Sequence, residues 1–318
     1  MITSKKLLVI AASMLALATG ASAQVAIGGY AATSWTHTNG TATDRFDIDS
    51  ALLKFTGKDG AATGVVSLYY VPGSAVATDS DIHLLDAYIN WDLGSGWSVT
   101  GGRYLSWLGY ESFFTINNPE ISGANTVPGF IPGYQQGVRF TYSDKDWSAG
   151  LGVADSAFTS PSAFKGDGEL KTDYAVEAFI SYTGIQDLTL WLGGAYEPQP
   201  GAAGAKATID LWAQYQVSKE LYIAAEYTVS DNIIGAAGDS STWLVLANYT
   251  FNEQVSTAFR VSGDTFNGPA VDVLKYTLAP TYTVNKSFSV RAEASYSVNY
   301  GSATANTTFL GVQALFKF

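Results

Sequence analysis

Apolar and polar residues alternate along most of this chain with a period of two. In the stretch TDYAVEAFISYT, Tyr174, Val176, Ala178, Ile180 and Tyr182 share one parity, while Asp173, Glu177 and Ser181 share the other. In ATIDLWAQYQV, Ile209, Leu211, Ala213, Tyr215 and Val217 oppose Asp210, Gln214 and Gln216, with Trp212 the exception. FSVRAEASYSVNY sets Val290, Ala292, Ala294, Tyr296, Val298 and Tyr300 against Arg291, Glu293, Ser295, Ser297 and Asn299. Such alternation over about ten residues predicts strands with one apolar and one polar face. Sixteen strands are predicted, at roughly 25–36, 45–57, 61–71, 82–93, 96–104, 135–143, 146–154, 172–183, 187–197, 206–217, 220–230, 241–251, 254–263, 271–283, 286–300 and 306–318. Those near 45–57 and 96–104 alternate poorly, which points to bulges.

A soluble β-sandwich also alternates, but its strands are commonly about 5 or 6 residues long. The strands here are longer, enough for a tilted strand to cross a bilayer. Their polar parity is rich in Ser, Thr, Gly and Asn with scattered charge, as the wall of a water-filled lumen would be. Aromatic residues close the apolar parity at both ends, as at Tyr174 and Tyr182, in the manner of interfacial girdles. The connections alternate too. Short turns such as GKDG, GSG, SDKD, SKE and VNK take turns with longer polar loops at 37–44, 72–81, 105–134, 155–171, 198–205, 231–240, 264–270 and 301–305. Short turns on one side and long loops on the other are the outer-membrane arrangement, with the turns periplasmic. An even strand number puts both termini on that side. The expected fold is therefore all-β: a transmembrane antiparallel β-barrel of about 16 strands with a long third extracellular loop.

Composition adjusts this picture at three points. Lys5 and Lys6, the apolar run Leu7 to Ala18 and the small residues Ala21-Ser22-Ala23 read as a signal peptide over residues 1–23, cleaved before Gln24. Residues 24–318 then form one outer-membrane barrel domain with no internal linker. Beyond the signal no apolar run reaches the roughly 20 residues of a spanning helix. The mature part carries 15 basic residues against 28 acidic ones, which argues against nucleic acid as a partner. There is no cysteine, so neither disulfides nor thiolate metal sites are available.

The chain ends TTFLGVQALFKF, with Leu310, Val312, Ala314, Phe316 and Phe318 on the apolar parity. This resembles the last strand of Gram-negative outer-membrane proteins, whose terminal aromatic is read by the assembly machinery; Phe318 would be that signal. The segment GGRYLSWLGYES, a Pro-containing insertion and GYQQGVRFTYSD resemble the β-barrel porin family called OmpL-like, the porin-2 group. Gly102, Arg103, Tyr104, Leu108, Gly109, Glu111, Gly137, Val138 and Arg139 carry the resemblance. Trp107 stands where members usually have Pro. The resemblance covers about 40 residues. It implies an outer-membrane porin for passive diffusion of small hydrophilic solutes and ions, in contact with lipid bilayer and lipopolysaccharide. Among general sixteen-stranded porins a homotrimer is common, and the third loop folds inward to narrow the channel.

Candidate chemistry follows from the parity. No cofactor or metal is expected, and catalysis is not: the only imidazoles, His37 and His83, have no nucleophile motif beside them, and strand spacing puts His83 and Asp86 on opposite faces. Inward acidic candidates are Asp86, Asp173, Glu177, Asp210, Glu226 and Glu293; inward basic candidates are Lys54, Arg139, Arg260, Lys275 and Arg291. Arg260, Lys275 and Arg291 fall on consecutive strands and would form a basic ladder. Glu111 and Glu120 are the only charged residues between Tyr104 and Arg139. Folded inward, they would face that ladder and set up a transverse field at a pore constriction, since charge on pore walls sets selectivity. Tyr104, Trp107, Tyr110, Phe113 and Phe114 would pack the loop against the wall, with Pro119, Pro128 and Pro132 stiffening it. Two alternatives stay open. The loop could cap a closed barrel with a structural or adhesion role, or its aromatic rings could stack sugars in a sugar-preferring porin.

Overall fold

The computed structural model describes residues 24–39, 43–72, 82–124, 131–158, 174–198, 204–233, 239–266, 272–300 and 305–318. The expected signal segment 1–23, Asp173, Pro128 and the tip of loop 105–134 at 125–130 lie outside the described residues. The strands are β1 Gln24–Thr38, β2 Thr43–Asp59, β3 Ala62–Tyr70, β4 Ile82–Gly94, β5 Trp97–Leu105, β6 Tyr134–Ser143, β7 Trp147–Ala154 and β8 Ala175–Tyr182. They continue with β9 Leu188–Glu197, β10 Lys206–Gln216, β11 Leu221–Asp231, β12 Ser240–Thr250, β13 Val255–Phe266, β14 Asp272–Thr283, β15 Phe288–Tyr300 and β16 Thr307–Lys317. Each pairs antiparallel with its chain neighbours, and β1 pairs with β16 to close a barrel. Closure removes every free sheet edge, the condition for strands to survive in hydrocarbon. The strands match those expected from alternation, with no boundary displaced by more than three residues.

The faces are inside-out relative to a soluble protein. Along β10, Thr208 and Asp210 are buried while Ile209 and Leu211 are exposed. Along β11, Ala224, Glu226, Thr228 and Ser230 are buried while Ile223, Tyr227 and Val229 are exposed. The exposed apolar parity is the lipid-facing surface. Tyr196, Tyr227, Tyr276 and Tyr296 lie toward its long-loop end, and Trp97, Trp147 and Tyr249 toward its short-turn end. Rings from neighbouring strands meet there, as in Trp97–Tyr142 at 5.0 Å and Trp147–Tyr182 at 4.4 Å.

Bulges decide where the alternation fails. In the β1–β2 pairing Ala32 faces Ser50 and Thr33 faces Ile48, so Asp49 is the extra residue. This is the bulge expected near 45–57. In the expected strand at 96–104, β5 pairs regularly with β6, and the irregularity lies across from it, between Asp92 and Gly94 of β4. A further bulge was not expected: Val66 faces Ala87 and Leu68 faces Leu84, leaving Leu85 and Asp86 opposite Ser67. It corrects the placement of His83 and Asp86 on opposite faces. The extra residue flips the parity between them, and His83, Leu85 and Asp86 are all buried, with Asp86 held by the Ser67 hydroxyl at 2.6 Å. Gly102 (φ +128) serves the adjacent close approach, because a Cβ there would lie 2.3 Å from the Ala87 carbonyl oxygen.

Among the described residues, the three apolar clusters inside the barrel all include residues of loop 105–134. Phe113 and Phe114 pack on Tyr30, Tyr69, Leu85 and Tyr134. Ala124 and Tyr110 join Leu244, Leu246 and Ala258. Leu108 and Trp107 join Trp191, Ala175 and Ala195. What core the barrel has is made with this loop.

If the exposed parity faces lipid, Leu211→Arg in the middle of β10 lowers barrel stability by about 2–4 kcal/mol. Urea unfolding from phospholipid vesicles measures this; an unchanged midpoint would remove Leu211 from the lipid face.

Candidate functional site

An irregular segment enclosed by a barrel must find partners for its amide and carbonyl groups, since it has no ladder of its own. The wall provides them, sorted by charge. Carboxylates accept from the loop amides. The Trp107 N–H donates to Glu177 Oε1 at 2.6 Å, Gly109 N–H to Asp210 Oδ2 at 2.8 Å and Tyr110 N–H to Glu226 Oε1 at 2.6 Å. Ile121 and Ser122 N–H both donate to Glu293 Oε2, at 2.6 and 3.0 Å. Cations donate to the loop carbonyls. Arg260 Nη2 reaches the Ser122 and Gly123 oxygens at 2.9 and 3.1 Å, and Lys275 Nζ the Gly123 oxygen at 2.8 Å. Arg291 Nη1 reaches the Glu120 oxygen at 2.5 Å, and Arg139 Nη1 the Leu105 oxygen at 2.9 Å. Those in which the wall group is charged belong to the stronger class of hydrogen bond.

The ladder expected from β13, β14 and β15 is therefore present, and all three of its cations are buried. Glu111 and Glu120 do face it. Glu111 pairs directly with Arg260 and also accepts from the Ala124 N–H at 2.8 Å, folding the loop onto itself. The Glu120 carboxylate lies 3.7 Å from Arg260 Nη1. The opposed charges thus meet in contact, with no open water between Glu111 and Arg260. Arg139 stands apart from this group, on β6. Its guanidinium lies over the Tyr104 ring at 4.0 Å and the Trp107 ring at 4.8 Å, a cation–π arrangement. Phe318 stands away from this charged group, at the short-turn end; its backbone pairs with Gly29 and its ring is exposed.

Of the acidic lumen candidates, Asp86, Glu177, Asp210, Glu226 and Glu293 are all buried inside the barrel. Parity placed them; nothing in the sequence paired four of them with loop amides. Sequence reasoning also missed Phe179, Trp191 and Trp212, inward rings on β8, β9 and β10. They stack in a row, with centroids 5.9 and 5.8 Å apart and planes within 10°. Trp107 meets Phe179 at 4.8 Å and Tyr110 meets Trp212 at 5.5 Å, so the row seats the start of the loop. The available signal was an aromatic residue on the polar parity of three successive strands. Trp212 had registered only as an exception. His37 is at the rim, with Nδ1 2.8 Å from Asp44 Oδ1.

A closed sixteen-stranded barrel with a polar, charge-lined interior and an apolar exterior is the architecture of an outer-membrane porin. The chain belongs to the family described as "Putative beta-barrel porin-2, OmpL-like", which it matches over residues 21–318. No curated protein matches the sequence. Solved structures show the same fold at low identity. The outer membrane channel DcaP of Acinetobacter baumannii superposes with TM-score 0.68 at 12% identity, covering 93% of this chain and 97% of that one. OmpT of Vibrio cholerae gives 0.67 at 12% identity, with 94% and 99% covered. An anion-selective porin from Comamonas acidovorans gives 0.65 at 14% identity, with 93% and 100% covered. The family and fold place the protein in the bacterial outer membrane.

Burial raises the Glu120 carboxyl to about 7, against the opposing pull of Arg260, with Glu111 and Glu293 adding to the rise. In an undocked loop the same group titrates near its ordinary 4.5. The docked loop therefore binds a proton that the free loop has already lost, and docking is favoured as pH falls from 8 towards 5 and weakened as pH rises through about 7. Hydrogen exchange at Ile121 to Ala124, corrected for intrinsic rate, should show stronger protection at pH 5.5 than at pH 8. Glu120→Gln should flatten that difference.

Proposed function

We propose that the protein is a passive channel for small hydrophilic solutes and ions, narrowed by loop 105–134. The observation that carries this reading is the set of hydrogen bonds from the loop to inward acidic and basic residues of β6, β8, β10, β11, β13, β14 and β15. A segment tied to so much of the inner wall occupies lumen cross-section wherever it runs. Beneath it a cavity of about 660 Å³ lies between Phe114, Ile116 and Asn117 of the loop and Lys54, Lys286 and Lys317 towards the short-turn end. It has the position of a periplasmic vestibule.

Selectivity in this reading comes from the charge left over after the loop is docked. Glu111 is spent on Arg260, and the ladder on loop carbonyls. The acidic excess of the mature chain then gives a modest cation preference. In the same reading the chain is exported with residues 1–23 removed, and Phe318 marks its last strand for assembly. Trimerisation is part of the proposal; OmpT of Vibrio cholerae was solved in a trimer form. The rival is a barrel sealed by that same loop and serving a structural or adhesion role.

Planar-bilayer recording separates the two. The channel reading predicts discrete conductance steps and a reversal potential of cation-selective sign in a salt gradient. Deleting residues 112–130 should raise the conductance and weaken the selectivity. A folded wild type that carries no current would refute the channel, and an unchanged conductance after the deletion would remove the loop from the narrowest point.

A further inference from the structure

Beside the docked loop is a second cavity, of about 290 Å³, whose walls include Tyr110, Trp212, Tyr222, Glu111, Glu120 and Gln214. Two of these residues, Glu120 and the half-buried Trp212, hold buried polar atoms that find no hydrogen-bond partner among the described residues. Glu120 is 1% exposed, and neither carboxylate oxygen accepts a hydrogen bond. Its 3.7 Å approach to Arg260 neutralises charge without filling lone pairs. The Trp212 indole N–H has no acceptor. Gln214 already accepts from the Tyr110 hydroxyl at 2.8 Å, which fixes that ring. Trp191 stacks on Trp212 at 5.8 Å and fixes its indole in turn.

A ligand for this cavity must donate to a carboxylate and accept from an indole N–H. An ammonium group does only the first. A deprotonated anion does only the second. A hydroxyl does both. Water does both as well, but it gains nothing from the faces of Tyr110, Trp212 and Tyr222. A pyranose ring carries hydroxyls at its rim and C–H groups on its faces, the latter suited to the electron-rich faces of aromatic rings. The cavity lies at the small end of the roughly 300–1,000 Å³ typical of ligand pockets, which matches a single ring.

We infer that this cavity is a saccharide subsite within the channel, where one neutral hexose unit lies against Trp212 and Tyr222 and donates a hydroxyl proton to Glu120. The inference rests on the channel reading and adds a substrate class to it. It also moves the stacking role from the loop aromatics as a group to wall residues: Phe113 and Phe114 are already packed on Tyr30, Tyr69 and Tyr134.

The test records ion current through the wild type while D-glucose or maltose is added, with ethylene glycol at matched viscosity as reference. The saccharides should depress the current saturably, and ethylene glycol only in proportion to viscosity. Trp212→Ala should raise the half-blocking concentration by about tenfold or more. Tyr222→Leu, a second variant should Trp212→Ala fail to fold, should raise it as well, and so should Glu120→Gln. A conducting wild type that responds to viscosity alone overturns the subsite and leaves the channel standing. A wild type that does not conduct overturns the channel instead. The subsite is then decided by tryptophan fluorescence of the folded barrel in detergent. A saturable change with maltose that Trp212→Phe abolishes upholds it, and no change overturns it.

Discussion

Every amide and carbonyl that leaves a β-ladder inside a barrel needs a new partner, and loop 105–134 brings many such groups into the lumen. The structure meets this demand with acidic and basic side chains of the wall. Carboxylates on β8, β10, β11 and β15 take loop N–H groups, and cations on β13, β14 and β15 take loop carbonyls. The two signs are needed because a carboxylate offers only acceptors while guanidinium and ammonium offer only donors. Burying Arg260, Lys275 and Arg291 without such partners would be costly. Loop and wall therefore stabilise one another, and neither arrangement makes sense alone.

This changes how the charges act on a passing solute. A transverse field needs opposite charges held apart across a gap. Here Glu111 sits on Arg260, so their fields largely cancel at a distance, and the ladder is screened further by the carbonyls it holds. What a solute meets in the proposed channel is the remainder: the half-exposed rim of the loop, the vestibule beneath it and the aromatic cavity beside Glu120. The apolar packing of Phe113, Phe114, Trp107, Tyr110 and Ala124 has a matching consequence. It holds the loop at three separate clusters and leaves few large rings wetted.

The barrel itself was legible in the sequence because its cause is local. Period-two alternation, short turns at one end and long loops at the other fix strand number and facing without knowledge of any partner. Arg260, Lys275 and Arg291 were placed on one wall by the same logic. Two things escaped it. The bulge opposite Ser67 depends on how β3 and β4 settle against each other, and no composition signal marks Leu85 or Asp86, so His83 was assigned the wrong face. The pairing of Glu177, Asp210, Glu226 and Glu293 with loop amides escaped for a different reason. Those partners lie 70 to 172 residues away in sequence, and backbone groups carry no side-chain signature. Trp212 was visible as a break in parity, but only its neighbours Phe179 and Trp191 across two pairings turned the break into a row.

The central claim is that the conducting protein keeps this loop bonded to the basic side of its lumen. A cysteine-free chain permits a direct test, because Ser262 Oγ donates to the Ala124 carbonyl at 2.9 Å. Ala124→Cys combined with Ser262→Cys should cross-link readily under oxidation or with a short thiol reagent, in protein inserted in a planar bilayer. The linked channel should keep the conductance and selectivity it had before linking. Cysteines that do not link, or a current that vanishes when they do, would contradict the account and place the loop elsewhere in the conducting state.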